Sequence, residues 1–124
     1  MTHTGTTFSN ELYALAAQYA LAADRRDSQA FAAVFLNTGV LRIADRGNRQ
    51  RSTPQVEGHD QLRTVPTVME RNDTTLHNLG TVGHRLDGNT ASGEVYCIAH
   101  HLTRHGDETS DHVMFIRYFD TYRR

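Results

Sequence analysis

The sequence predicts an α+β domain, with N-terminal helices packed in the concave face of a curved antiparallel sheet. Three observations predict it. Apolar residues recur at helical spacing through the opening stretch. The second half is a series of extended segments separated by Gly-containing turns. No linker or repeat interrupts the 124 residues, which suffice for one core but not two.

The first helix is carried by Phe8, Leu12, Leu15, Ala16, Tyr19, Ala20 and Ala23, which share one face. Thr7 or Ser9 supplies a cap, and residues 1–7 are expected to be frayed. Asp24 continues the apolar face, and Arg25, Arg26 and Asp27 read as a solvated turn. Ser28 then caps a short second helix, Gln29 to Leu36, with Phe31, Val34 and Phe35 inward. Asn37-Thr-Gly39 stops it, and Val40 to Ile43 reads as a strand. Residues 45–55 carry Arg46, Gly47, Arg49, Arg51 and Pro54, the composition of an exposed loop or wide hairpin. Gly58 to Glu70 is a poorer third helix, because Pro66 sits in its middle.

The remainder is β. Strands are expected over Leu76–Leu86, Ala91–Thr103 and His112–Tyr122. The turns between them are Asp87-Gly88-Asn89 and His105-Gly106-Asp107. A twisted meander of this length curves, and the space between its concave face and the helices is the default binding site.

Composition excludes several classes. The net charge of −1 lacks the basic excess of a nucleic-acid binder. No apolar run is long enough for a membrane span and no charged-then-apolar leader opens the chain, so a soluble cytoplasmic protein is expected. All thirteen positive residues are Arg, so no Lys can form a Schiff base. Cys97 stands alone, without a disulfide partner. No phosphate-cradling Gly loop or nucleotide fingerprint is present.

Several short motifs, in order, then become informative: Tyr19-x4-Asp24-x2-Asp27, Val56-Glu-Gly-His-Asp-Gln-Leu62, Thr74-Thr-Leu-His77-Asn-Leu-Gly80, Tyr96-x3-His100-His101 and Arg117-Tyr-Phe-Asp-Thr-Tyr122. Their order and spacing resemble the SnoaL-like group of the nuclear transport factor 2-like superfamily. That group includes scytalone dehydratase, bile acid 7α-dehydratase, polyketide cyclases and hexachlorocyclohexane dehydrochlorinase. The resemblance implies a cone-shaped, cystatin-like fold over residues 1–124 and an oligomer, a homodimer or homotrimer through the outer sheet face. It also implies one further strand after the last motif; the sequence stops at Arg124, so that strand is either missing or lies beyond the given residues.

The resemblance assigns roles. Asp24 orients His77, and His77 removes a proton from the substrate. With one ring nitrogen held by a carboxylate, the other is the basic end, and imidazole titrates near neutral pH. The competing reading has Asp24 fraying into the turn to pair with Arg25 or Arg26. Tyr19 matches a catalytic or binding residue of some members. It lies five residues before Asp24, about 140° round a helix, so core packing competes with a catalytic role. One of His100 and His101 corresponds to a second sheet His. Adjacent strand residues point to opposite faces, so at most one of them faces the pocket. Asn78 and Asp120 are further polar strand positions, with Asn78 taken as a substrate contact. Cys97 shares a strand face with His101 and reads as a small buried hydrophobe rather than a nucleophile.

Adjacent strand His residues do not converge, so no metal site is expected. The functional expectation is a cofactor-independent lyase or isomerase acting on a small hydrophobic cyclic molecule. The alternative is a non-catalytic module that uses the same pocket to bind a ligand, or the sheet to bind a partner protein.

Overall fold

A computed structural model describes residues 4–44 and 55–124. Four helices precede a long antiparallel meander among the described residues. They are α1 (Thr4–Asp24), α2 (Ser28–Ala33), α3 (Gly58–Leu62) and α4 (Val65–Met69). The strands are β1 (Val40–Arg42), β2 (Gln55–Glu57), β3 (Thr74–Asp87), β4 (Thr90–His105) and β5 (Glu108–Arg123). β1 and β2 form a small antiparallel pair, and β3-β4-β5 form the main sheet in that order. This is the expected α+β architecture.

Helix α1 begins at Thr4, earlier than the expected start near Phe8. Its apolar face lies along the concave side of the main sheet. Toward its N-terminus, Phe8 and Leu12 pack with Leu15, Leu86, Ala91 and Tyr122. Toward its C-terminus, Ala22 and Ala23 pack with Phe31, Ala32 and Leu62. Tyr19, Phe35, Leu41, Val56, Val65 and Met69 close around this second cluster. The two clusters anchor the helix at both ends and leave its last turn beside the start of β3.

Two further local expectations are corrected. The cap of α2 is Asp27, not Ser28, because the Asp27 carboxylate accepts from Ala30 N at 3.0 Å. The third helix divides into α3 and α4. Pro66 occupies the first turn of α4, where its missing N–H costs no helical bond. Arg46, Arg49 and Arg51 lie outside the described residues, although β2 does return antiparallel to β1 as a wide hairpin would.

Register decides which side chains meet. Before a bulge between Leu79 and Val82, the β3 residues Thr75, His77 and Leu79 pair with His101, Ala99 and Cys97. After the bulge the face switches, so Val82, His84 and Leu86 continue the concave side. On β4, Ala91, Val95, Cys97 and Ala99 are buried, which marks the odd-numbered positions as the inward face. Their β5 partners are Tyr122, Tyr118, Ile116 and Met114. The β3–β4 turn is tight because Gly88 takes φ 59°, a backbone state that L side chains rarely adopt.

Candidate active site

The site begins at the end of α1. Asp27 N donates to Ala22 O at 2.9 Å and Arg26 N donates to Ala23 O at 3.2 Å. This paired bonding is a Schellman cap, with Arg26 at its left-handed residue (φ 57°). Glycine is usual there, and a residue bearing a Cβ costs on the order of 1–2 kcal/mol. The reversal holds Asp24 on the last helical turn, next to β3.

A carboxylate at a helix C-terminus opposes the helix dipole and needs compensating donors. Asp24 receives three, all from β3. His77 Nδ1 lies 2.6 Å from Oδ1, the Thr75 hydroxyl donates to Oδ1 at 3.1 Å, and His77 N donates to Oδ2 at 3.0 Å. A carboxylate only accepts, so Nδ1 carries the hydrogen. The neutral ring therefore presents Nε2 as its lone-pair nitrogen. Asp24 and His77, 53 residues apart in sequence, are thus brought together.

Arg26 does not take the carboxylate. Its Nη1 donates to Thr75 Oγ1 at 2.7 Å and to Ala23 O at 2.9 Å, and its Nη2 donates to Asn72 O at 3.3 Å. The turn that read as solvated is pinned to β3, and Arg26 was missed as part of the site. A signal was present in the sequence. A long donor-rich side chain stands where a helix-terminating Gly is usual, just after the candidate Asp.

The second sheet His is His101. It continues the inward face of β4, and its ring centre lies 6.2 Å from that of His77. His101 Nδ1 lies 3.0 Å from the main-chain oxygen of His112. A carbonyl only accepts, so this nitrogen is the donor and Nε2 is left for other partners. His100 is on the opposite face, where its Nδ1 lies 2.7 Å from Asp111 Oδ2. Asn78 also points to that face, paired with Ile98 and exposed. The expected contacts of His100 and Asn78 with the pocket are therefore corrected, because strand alternation turns both away from His77.

Tyr19 packs with Phe31, Phe35 and Tyr118 at ring separations of 4.9, 6.2 and 5.3 Å. Burial pushes its hydroxyl up to about 12, partly opposed by the neighbouring Tyr118 hydroxyl. Tyr19 stays protonated at working pH and can donate. Among the described side-chain hydrogen bonds none joins it to Asp24 or His77, so the structure places it in the core rather than in the dyad. Cys97 is buried, and desolvation raises its thiol, which suits the reading as a packing residue.

A second polar group lies further along the concave face. His84, Gly93 and Asp120 are side by side across the three strands. Tyr122 donates to Asp120 Oδ2 at 3.0 Å, and burial raises the Asp120 carboxyl above its ordinary value. His84 Nε2 is buried without a hydrogen-bond partner. An open depression of about 700 Å³ is lined by residues including Arg85, Glu94, Tyr96 and Phe119, away from the dyad. Among the described residues, no three His, Cys, Asp or Glu side chains are grouped to hold a metal ion. No described helix is long and apolar enough to cross a membrane.

Residues 9–124 match the SnoaL-like domain family. No curated protein sequence matches the chain. Among solved structures, a scytalone dehydratase candidate from Novosphingobium aromaticivorans superposes with a TM-score of 0.77 at 18% identity, over 100% of this chain and 78% of that one. The β subunit of a candidate aromatic-ring-hydroxylating dioxygenase from the same organism gives 0.79 at 16%, over 97% and 81%. ActVI-ORFA from Streptomyces coelicolor gives 0.70 at 18%, over 93% and 84%. At these identities the likeness establishes a shared fold, NTF2-like and cystatin-like.

Proposed function

The chain belongs to the SnoaL-like domain family, and we propose that it is a cofactor-independent lyase or isomerase of dehydratase or cyclase type. Its substrate is a small hydrophobic cyclic molecule with an acidic C–H. The observation that carries this reading is the 2.6 Å contact between Asp24 Oδ1 and His77 Nδ1.

His77 Nε2 takes the proton from carbon, and the C–H electron pair enters an adjacent carbonyl or a forming double bond. Asp24 holds the ring and offsets the charge that develops on it. In this reading His101, whose ring centre lies 6.2 Å from that of His77, acts on the other end of the substrate. With Nδ1 donating to the His112 carbonyl, its Nε2, when it carries a proton, passes that proton to a leaving hydroxyl. Elimination then releases water, and isomerisation or aldol cyclisation returns the proton elsewhere. Solvent exchange between the two imidazoles resets them.

The test is deuterium uptake at the α-carbon of a panel of cyclic ketones, with dehydration of the matching β-hydroxy ketones measured alongside. Exchange that is lost in His77→Ala, with ketone binding retained, supports the base. Turnover that is unchanged in His77→Ala sinks the assignment.

The outer face of the sheet favours a second reading, in which the domain serves as an interaction module. Phe115 is 83% exposed and Phe119 is 74% exposed, with Tyr96, Ile98 and Val113 on the same side. A second copy of the chain is the occupant proposed here, as a homodimer or homotrimer. Sedimentation of Phe119→Asp against the parent protein tests it. A parent protein that sediments as a monomer overturns it.

A further inference from the structure

We propose that Arg26 and Thr75 form a positioning pair that locks the Asp24 carboxylate toward His77 and so fixes which nitrogen of His77 is basic. This deepens the proton-abstraction reading and rests on it. The direction of the hydrogen bonds carries the argument. A guanidinium only donates, so the 2.7 Å contact from Arg26 Nη1 uses Thr75 Oγ1 as an acceptor. The single hydroxyl hydrogen of Thr75 must then point elsewhere, and the acceptor in reach is Asp24 Oδ1 at 3.1 Å. Arg26 thus sets the rotor of Thr75, and Thr75 sets one of the three donors on the carboxylate.

Two further observations show that the arrangement is built. Thr75 is 1% exposed, the buried polar side chain of the described core, so its hydroxyl has no water to turn to. Arg26 is the non-glycine residue at positive φ among the described residues, and that backbone state aims its side chain back along the helix end. There Nη1 meets Ala23 O and Nη2 meets Asn72 O, so the guanidinium is anchored on both sides of the α1–β3 junction. Strained backbone that persists beside reactive groups is a recurrent sign of preorganisation. Thr75 also stands between the guanidinium and the carboxylate. It passes on a hydrogen bond without letting a direct ion pair draw Oδ1 from His77.

The experiment needs no substrate. Proton–nitrogen correlation of labelled protein reads the His77 ring directly, with the exposed His105 as an internal control. In the parent protein the expected result is a protonated Nδ1 and a pyridine-like Nε2. In Thr75→Val and in Arg26→Gly the Nε2 signal is expected to move toward the averaged value of free histidine, and Thr75→Ser should restore the parent signal. Arg26→Gly suits the turn and so guards against loss of folding. Where ketone exchange is measurable, kcat should fall about tenfold or more with KM kept. A His77 signal unchanged in both folded variants overturns the pair while leaving the dyad intact. A parent His77 lacking the Nδ1 hydrogen overturns the dyad and the pair together.

Discussion

His101 donates from Nδ1 to the main-chain oxygen of His112 at 3.0 Å, and its ring centre stands 6.2 Å from that of His77. The two imidazoles are therefore held by different partners, a carbonyl for one and a carboxylate for the other. A carboxylate stabilises a developing imidazolium more than a neutral carbonyl does. On the proposed function, this asymmetry suits His77 to proton removal and His101 to proton delivery. His101→Ala should keep α-deuterium exchange within about tenfold and reduce elimination by roughly 10²–10⁴-fold. His77→Ala should lose both. Parallel assays on a cyclic ketone and its β-hydroxy derivative check the split, and equal losses in the two assays for His101→Ala would refute it.

Asp24→Asn tests the carboxylate itself. The carboxylate faces donors at both oxygens: His77 Nδ1 and the Thr75 hydroxyl at one, His77 N at the other. An amide offers one acceptor end and one donor end, so whichever way it flips an N–H meets a donor. Leaving a buried donor unsatisfied costs about 1–3 kcal/mol, and the expected loss of stability is of that order. The flip that satisfies His77 N sets the amide NH₂ against the ring and drives His77 to the other tautomer. Urea unfolding gives the first number and the nitrogen signals of His77 give the second. Native stability with an unchanged tautomer would contradict the donor arrangement.

The dyad was legible through the resemblance, since periodicity shows only where each half sits. Asp24 extends a helical apolar stripe, and His77 opens an extended run. The choice between His100 and His101 was not legible, because strand alternation says only that they differ. The pairing of His77 with Ala99 decides it and places His101 on the same face. Asn78 is a lesson in the other direction: the two-residue period already sends it opposite to His77. The same period places Thr75 beside His77, and that relation was readable too. Arg26 was the hardest, since its partners Asn72 and Thr75 lie 46 and 49 residues away. The divided third helix followed from Pro66, whose doubtful place in a single helix was visible in the sequence.

Asp120 gives the chain a pH signature separate from the dyad. Burial raises its carboxyl above the ordinary 3.8, partly opposed by the hydrogen bond from Tyr122 and by His84. Between the unfolded and folded values the folded state holds a proton that the unfolded state releases. Stability therefore falls as pH rises through that window, and the penalty is complete above the folded value. Asp120→Asn removes the ionisation while its amide oxygen still accepts from Tyr122. The variant should melt higher than the parent protein at neutral pH, and the advantage should shrink toward zero as pH drops below 3.8. Thermal midpoints of both proteins across acid and neutral pH decide it. A gap that is independent of pH would assign the effect to packing.

Gly93 separates His84 from Asp120 in the cross-strand row, and the row depends on its lack of a side chain. A Cβ at position 93 would stand 2.5 Å from His84 Cδ2 and 3.2 Å from Gly83 O. The first distance is far inside contact, so the imidazole must swing away. The second is tight but tolerable with a small backbone shift. His84 packs edge-on against Tyr122 at 5.8 Å, so moving it also disturbs the aromatic contact beside Asp120. Gly93→Ala should destabilise the fold by about 1–3 kcal/mol, the usual cost of overpacking. In a His84→Ala background the larger clash is gone and the same substitution should cost much less. A double-mutant cycle by urea unfolding measures the difference. An equal cost in both backgrounds would place the strain in the Gly83 backbone instead of the His84 ring.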